Sequence, residues 1–305
     1  MQQIQRFPFS SILGWSLSRY SLFSICKRRY YYHYYAKFDP EFPRPKIDFL
    51  KALTSVPLEV GVIVHRVIRA LLLRLQSTRR PIDEDRFFNF ARSAVEQSIS
   101  DKLFSEVHYE VLDQIGQDKL FPKVELSLEN LLRSKRYPWL IDEVISTSDA
   151  WIIDPPGYGE TRINNLKAYV KVDFLFPFED LIYIMDWKTG KRDLEKHRKQ
   201  LVGYATWAAT QFDVNPERIR PVIAYLQPKY EEIDQELNEF DLEGFAGDVK
   251  HETNTMYAYC SNVQKNTPLD KSEFPLIEDQ RICSHCNYRG LCYPNLYPMD
   301  DKVHS

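Results

Sequence analysis

Asp173, Asp186 and Lys188 pose the chemical question, within the run Val172-Asp-Phe-Leu-Phe-Pro-Phe-Glu-Asp-Leu-Ile-Tyr-Ile-Met-Asp-Trp-Lys188. Read as a hairpin turning at Pro177 to Asp180, with Phe176 facing Leu181, the run sets Asp173 opposite Ile184. Asp186 is then its diagonal neighbour on the same face. Diagonal partners on antiparallel strands lie about 7–8 Å apart, near enough for two carboxylates to grip one cation. Lys188, two residues beyond Asp186, points to that face as well. Such a set suits phosphodiester hydrolysis. A divalent ion polarises the phosphate and acidifies its bound water, while the lysine orients or deprotonates that water or offsets developing charge. Taken alone, Asp-x-Lys is a weak signal and reads first as the exposed ion pair of a solvated strand.

A second group is made of sulfur. The chain has five cysteines, and Cys283-Ser-His-Cys286-Asn-Tyr-Arg-Gly-Leu-Cys292 places three of them close together near the C-terminus. Thiolates at this spacing fit a metal site in a reducing compartment better than a disulfide ladder, and they serve zinc or an iron–sulfur cluster. A fourth ligand is needed, and spacing leaves Cys26, Cys260 and His285 open.

The elements that must position these groups follow from pattern. Ser16 to Ala36 reads as one helix capped by Ser16 or Ser18, broken by Asp39-Pro-Glu-Phe-Pro-Arg-Pro45. Residues 57–76 and 83–115 have helical periodicity, with Ile63, Val64, Val67, Ile68, Leu71 and Leu72 on one face, and a shorter helix is expected at 125–134. From Trp139 the texture turns to β. Strands are expected at 140–153 and 166–176, with a turn at Pro155 to Gly157, then at Leu181 to Lys188 and Pro221 to Leu226. Helical periodicity returns at 191–211 and in an acidic helix at 239–264.

Composition sets the outer limits. The 305 residues are 44% apolar and 27% charged, an ordinary globular balance. A chain of this size buries about three quarters of its surface, which excludes disordered, collagenous and disulfide-scaffold classes. No apolar run reaches the roughly 18 residues of a membrane helix. The net charge of −3 says nothing of nucleic acid, but residues 1–38 hold six Lys/Arg and no acid, and residues 231–248 hold eight Asp/Glu and no base. The acidic run reads as a solvated face turned from DNA. The basic start shares the composition of an organellar leader, but Cys26-Lys-Arg-Arg-Tyr-Tyr-Tyr-His-Tyr-Tyr35 reads as a packed amphipathic helix. The basic aromatic stretch at 27–37 and the Lys/Arg-rich start of the helix at 191–199 offer phosphate partners and stacking faces of the kind single strands use. Half of Tyr30 to Tyr35 must be buried if that helix packs.

Asp186-Trp-Lys188-Thr-Gly is followed by Gln200-Leu-Val-Gly-Tyr204, whose Gln and Tyr share a helix face, and is preceded by Gly61-Val-Ile-Val-His65. In this order the motifs resemble the RecB-like branch of the PD-(D/E)XK nuclease superfamily. The cysteine run, with Ser18-Arg-Tyr-Ser-Leu-Phe-Ser-Ile-Cys26-Lys-Arg-Arg, is similar to the cluster of the AddB subunit and related CRISPR-adaptation exonucleases. Departures are Lys27 where relatives often have Pro, Val170 where a Gly often stands, and Val172 in place of the Pro of the superfamily name. The motifs span residues 16 to 292.

The resemblance implies one domain over 1–305 with an α/β restriction-endonuclease-like core, a central mixed sheet flanked by helices. Within it lie a mostly helical segment at 40–135 and a cysteine-bearing segment at 281–294. It implies His65, Asp173 and Asp186 as ligands of Mg²⁺ or Mn²⁺, with the Val172 or Trp187 carbonyl a further donor, Lys188 acting on water, and Gln200 and Tyr204 lining the site. It implies a [4Fe–4S] cluster on Cys26, Cys283, Cys286 and Cys292 stapling the chain ends, with zinc as the rival metal and Cys260 a buried spare. The expected activity is metal-dependent DNA cleavage, exonucleolytic on single-stranded ends, in the cytoplasm at the nucleoid. A helicase or other repair or defence protein is an expected partner. The rival functions are a DNA-end-binding subunit with little activity alone and a zinc-stapled structural protein.

Overall fold

The computed structural model describes residues 4–78, 80–155 and 159–299. The chain opens with α1 (Leu17–Ile25) and α2 (Lys27–Tyr35), then α3 (Arg44–Ala52), α4 (Val56–Ser77), α5 (Glu84–Asp101), α6 (Ser105–His108), α7 (Gln117–Leu132) and α8 (Arg136–Asp142). After β1 (Ile152–Ile153), β2 (Glu160–Ile163), β3 (Leu166–Tyr169), β4 (Phe174–Phe178) and β5 (Leu181–Lys188) come α9 (Leu194–Phe212), β6 (Ile219–Tyr225), β7 (Glu231–Asp234), α10 (Glu239–Tyr257), β8 (Cys260–Asn262), β9 (Thr267–Pro268) and α11 (Arg289–Cys292).

The central sheet runs β1-β4-β5-β6-β7. It is mixed: β5 pairs parallel with β6, and the other neighbours are antiparallel. A parallel pair needs a long crossover, and α9 supplies it. Alternation along the strands divides the side chains between two cores. Phe174, Phe176, Met185, Trp187, Val222 and Ala224 pack under α4, α5 and α7, whereas Leu175, Ile184 and Ile219 pack with α1, α2, α9 and α10. The fold is the expected α/β core, a mixed sheet flanked by helices. Among the described residues no helix is long and apolar enough to cross a membrane.

Several local expectations are corrected. The helix expected from Ser16 to Ala36 is two helices: Cys26 is extended (φ −153°), and its sulfur accepts from the Arg29 N–H as the cap of α2. Ser16 caps α1. The helix expected at 83–115 stops at Asp101, the short helix expected at 125–134 begins at Gln117, and the helix expected at 239–264 ends at Tyr257, where the chain turns into β8. Residues 140–153 are mostly helical, with a strand only at Ile152–Ile153. Their apolar residues match a buried strand, but Val144 and Ile145 are spent on the helical core instead, and a short apolar run fits either state. The strand expected at 166–176 is divided between β3, in a two-stranded side sheet, and β4. Of the turn expected at Pro155 to Gly157, Pro156 and Gly157 lie outside the described residues.

The hairpin register also differs. Phe178 faces Leu181 and Phe174 faces Met185, so only Glu179 and Asp180 turn, with Glu179 in the left-handed region (φ 51°). The turn is two residues shorter than expected because Pro177 stays in the strand. A slip of two preserves side-chain parity. Asp173, just before β4, therefore aligns with Asp186 itself rather than with Ile184.

Candidate active site and cysteine pocket

β5 carries Asp186 and Lys188 at its C-terminal end, where the sheet gives way to open space. Asp186 is nearly fully buried, and Lys188 Nζ lies 2.6 Å from its Oδ2. Its Oδ1 accepts from Tyr204 Oη and, at 3.3 Å, from Gln200 Nε2, and Gln200 also bonds Tyr204. Gln200 and Tyr204 can meet one carboxylate because they are one helical turn apart on α9, which packs on β6 beside β5.

His65 comes from the opposite layer. Its Nδ1 is 3.2 Å from Asp173 Oδ2 and its Nε2 is 2.8 Å from the Trp187 carbonyl. The Trp187 N–H reaches Asp173 Oδ2 at 3.4 Å. Two features bring α4 here. Buried Glu59 in its first turn accepts from Thr54 Oγ1 and Ser98 Oγ at 2.8 and 2.5 Å. Gly61, one turn before His65, lies so near Thr189 that a Cβ would meet its Oγ1 at 3.3 Å.

The electrostatics follow from this crowding. Burial raises the Asp186 pKa and the Asp173 charge adds to it, against the pull of Lys188 and Tyr204. Burial and then the Asp186 charge hold the Tyr204 phenol well above its ordinary value. For His65, burial opposes protonation, but the hydrogen bond and charge of Asp173 outweigh it and the net shift is upward.

Among the described residues no group of three or more His, Cys, Asp or Glu side chains forms a metal-binding cluster. The expected ligands are engaged by protein groups instead, His65 with Asp173, and Asp186 with Lys188, Tyr204 and Gln200. The two carboxylates and the peptide carbonyl are oxygen donors of the kind hard cations take, and the imidazole adds a borderline nitrogen donor beside them. Asp186 Oδ2 is buried and has the Lys188 ammonium as its partner.

The centre sits between two open pockets. One, of about 780 Å³, is lined by Lys188, Gln200, Tyr204, Lys196, Tyr34 and Tyr169 among others. The other, of about 540 Å³, is lined by His65, Asp173, Trp187, Arg66, Arg69 and Lys171 among others. Lys171 borders both. Lys196 falls in the basic stretch at 191–199 expected to meet phosphates, whereas sequence reading missed Lys171 and His197, since single Lys and His residues carry no local signature. His197 is buried, its Nδ1 bonded to Tyr225 Oη at 2.5 Å. Burial, then the Lys188 charge, lowers its pKa to about 4.

The expected nucleic-acid contacts are partly corrected. Tyr30, Tyr31, Tyr32 and Tyr35 are core residues, leaving Tyr34 as the tyrosine of α2 that reaches a pocket. Lys27 bonds the Phe23 carbonyl and Arg28 the Phe274 carbonyl. Lys199 is held by Glu252 at 2.5 Å and Asp248 at 3.2 Å. The acidic run is not simply solvated: Glu231, Glu232, Glu236 and Asp248 pair with Arg192, Arg136, Arg220 and Lys199.

Cys26, Cys283, Cys286 and Cys292 line one small pocket with Arg29, Tyr288 and Arg289. All four are free thiols. Burial and mutual repulsion push Cys283 and Cys286 up, and Cys292 up to about 12. His285 is exposed. Cys260 is apart from the pocket and only partly buried, 3.7 Å from Tyr35 Oη. The donor chemistry of the four suits a soft metal or an iron–sulfur cluster.

A family model described as the PD-(D/E)XK nuclease superfamily matches residues 14–293. No curated protein matches the sequence. Among solved structures, one described as "Crystal structure of SSO0001" is similar at 13% identity and a TM-score of 0.28, covering 70% of this chain and 97% of that one.

Proposed function

The chain belongs to the PD-(D/E)XK nuclease superfamily, and on that premise we propose that it is a metal-dependent DNA exonuclease acting on single-stranded ends. Enzymes of this superfamily hydrolyse phosphodiesters and typically use Mg²⁺ or Mn²⁺. The observation that carries the reading is the meeting of His65 and Asp173 from one side with Asp186, Lys188, Gln200 and Tyr204 from the other, at a sheet end flanked by two pockets.

Asp173, Asp186 and His65, with the Trp187 carbonyl, would hold the ion. When bound, it polarises the scissile phosphate and makes its coordinated water acidic. Lys188 Nζ, fixed by Asp186, orients the attacking water and offsets negative charge developing on the phosphate. Tyr204 and Gln200 hold the Asp186 carboxylate in place. The single-strand preference is supported by the larger pocket, where Tyr34 and Tyr169 offer faces to bases and Lys196 a partner to the backbone.

The four pocket cysteines would carry a [4Fe–4S] cluster that ties the chain ends into one nuclease domain over 1–305. Arg29 and Arg289 beside them would offset its negative charge. The proposed setting is DNA processing at the nucleoid alongside a helicase or another repair or defence protein.

The test uses anaerobically purified wild type and Lys188→Ala with end-labelled single-stranded DNA in Mg²⁺, Mn²⁺ or EDTA. Divalent-dependent degradation from the end is expected, lost by about 10²–10⁴-fold in the variant while DNA binding stays. Binding without cleavage by both proteins would overturn the enzyme reading in favour of a DNA-end-binding subunit. Iron and sulfide analysis tests the cluster: one zinc per chain without iron would overturn it.

A further inference from the structure

The pocket on the α4 side of the centre contains an anion already. Asp154 Oδ1 lies 2.8 Å from Lys171 Nζ and its Oδ2 3.3 Å from Arg69 Nε. Its backbone fixes it there. The Asp154 N–H donates to the Asp173 carbonyl at 2.7 Å, and φ of 41° puts it in the left-handed region that Asn, Asp and Gly tolerate best. We infer that Arg69 and Lys171 form a phosphate-binding site for the nucleic-acid strand next to the scissile position, and that the Asp154 carboxylate occupies this site in the free protein. The inference rests on the nuclease reading and adds a substrate subsite to it.

The chemistry of exchange is favourable. A phosphodiester, like a carboxylate, presents two anionic oxygens that a guanidinium and an ammonium can share. The side chains of Arg69, Asp154 and Lys171 are 49%, 36% and 58% exposed, and ion pairs so exposed are weak and exchange readily with a competing anion. Position also fits. The pocket also touches His65 and Asp173, and Lys171 borders the second pocket as well. A strand crossing the centre from one pocket to the other must therefore pass Lys171.

The rest of the wall suits a nucleotide. Leu58 and Val62 lie on the Arg69 side of α4, at the three- and four-residue spacings of one helix face, and are 59% and 50% exposed. Apolar residues left open beside two cations suit a sugar and base edge whose phosphate sits on Arg69 and Lys171. Asp154 would then act as a selective placeholder. It keeps the two cations from gathering small anions, and it yields to a phosphate that brings the rest of a strand with it.

The test measures binding of a fluorescent single-stranded oligonucleotide by anisotropy, in EDTA so that no cleavage occurs, across a salt series. Asp154→Asn should tighten binding, about fivefold at low salt. Arg69→Ala with Lys171→Ala should weaken it about tenfold or more and flatten the log–log salt slope by about 0.7 per cation removed. Asp154→Asn added to that pair should then change nothing. An equal gain from Asp154→Asn with or without the two cations would reduce Asp154 to a distant repulsive charge and overturn the inference. So would unchanged binding in both sets, with thermal melting checking that every variant folds. Wild type that binds and cuts while these variants behave like it would sink the subsite alone. Wild type that neither binds nor cuts DNA would sink the nuclease reading beneath it.

Discussion

The carboxylate centre and the cysteine pocket are assembled by opposite routes. Asp173, Asp186, Lys188, Gln200 and Tyr204 lie within one hairpin and the next helix, so strand register and helical turn nearly complete the site, and only His65 arrives from elsewhere. The pocket joins residues more than 250 positions apart, Cys26 and Cys283, and depends on the chain ends meeting. Polar groups in the first hold one another in place without any added ion. In the second, buried thiols repel one another as they ionise, and a metal group is what would make the arrangement favourable. The chemistry is thus local and the closure is global, and each can be broken without the other.

The sharpest separation comes from Asp186→Asn. It removes the carboxylate on which Lys188, Tyr204 and Gln200 converge, and cleavage should fall by about 10³-fold or more. Because burial raises the Asp186 pKa, a neutral amide should cost no stability at pH 7 and should raise Tm slightly. Iron content should not change. A lower Tm or lost iron would show that the two regions are coupled.

Cys26→Ser attacks the other region. If the four cysteines hold the proposed cluster, removing one ligand should release its iron, and because a cross-link closing so long a loop contributes on the order of 5 kcal/mol, Tm should fall sharply in chemical or thermal melts. Residual folded protein should still cleave at low temperature, since no catalytic group is removed. Full activity loss in protein shown to be folded would break the comparison.

A smaller effect is expected from two histidines, one in each region. His197 lies beside Lys188, and His33 lies on α2 with its Nδ1 3.3 Å from Tyr288 Oη. Burial first, then nearby cations, lowers both pKa values to about 4. The unfolded chain therefore takes up these protons near pH 6.5, while the folded chain waits until about pH 4. Stability should fall as pH drops through that window, by up to about 3 kcal/mol per histidine. Urea melts at several pH values should show the slope flattened in His197→Gln and in His33→Gln alike.

The smallest change is Gly61→Ala. Its Cβ would press on Thr189 Oγ1 at 3.3 Å, while alanine favours the helix by up to about 1 kcal/mol. Stability should hold or rise slightly, and cleavage should drop a few-fold as α4 and His65 shift by tenths of an ångström. Unchanged rates would show that His65 tolerates displacement.

Much of the fold was legible because its signals are local. The apolar face of α4, the alternation along β5 and the Gln200–Tyr204 spacing on α9 all follow from helix and strand periods. Residues 140–153 misled because a short apolar run packs as well in a helical layer as in a sheet. The tyrosines of α2 misled in another way. Their burial is set by Phe274 and Tyr288, which arrive from the far end of the chain.

The sequence by itself determined which residue types stand at which spacing, and so that Asp186 and Lys188 share one strand face and that three cysteines cluster. Tertiary structure decided that Asp173 aligns with Asp186 through a two-residue turn, that His65 bridges Asp173 and the Trp187 carbonyl, that the Cys26 implied by the family resemblance comes beside the other cysteines, and that Asp154 sits between Arg69 and Lys171. The physical reason is range. Backbone period is written in neighbouring residues, whereas register, burial and ion pairing are settled by which distant surfaces the whole chain brings into contact.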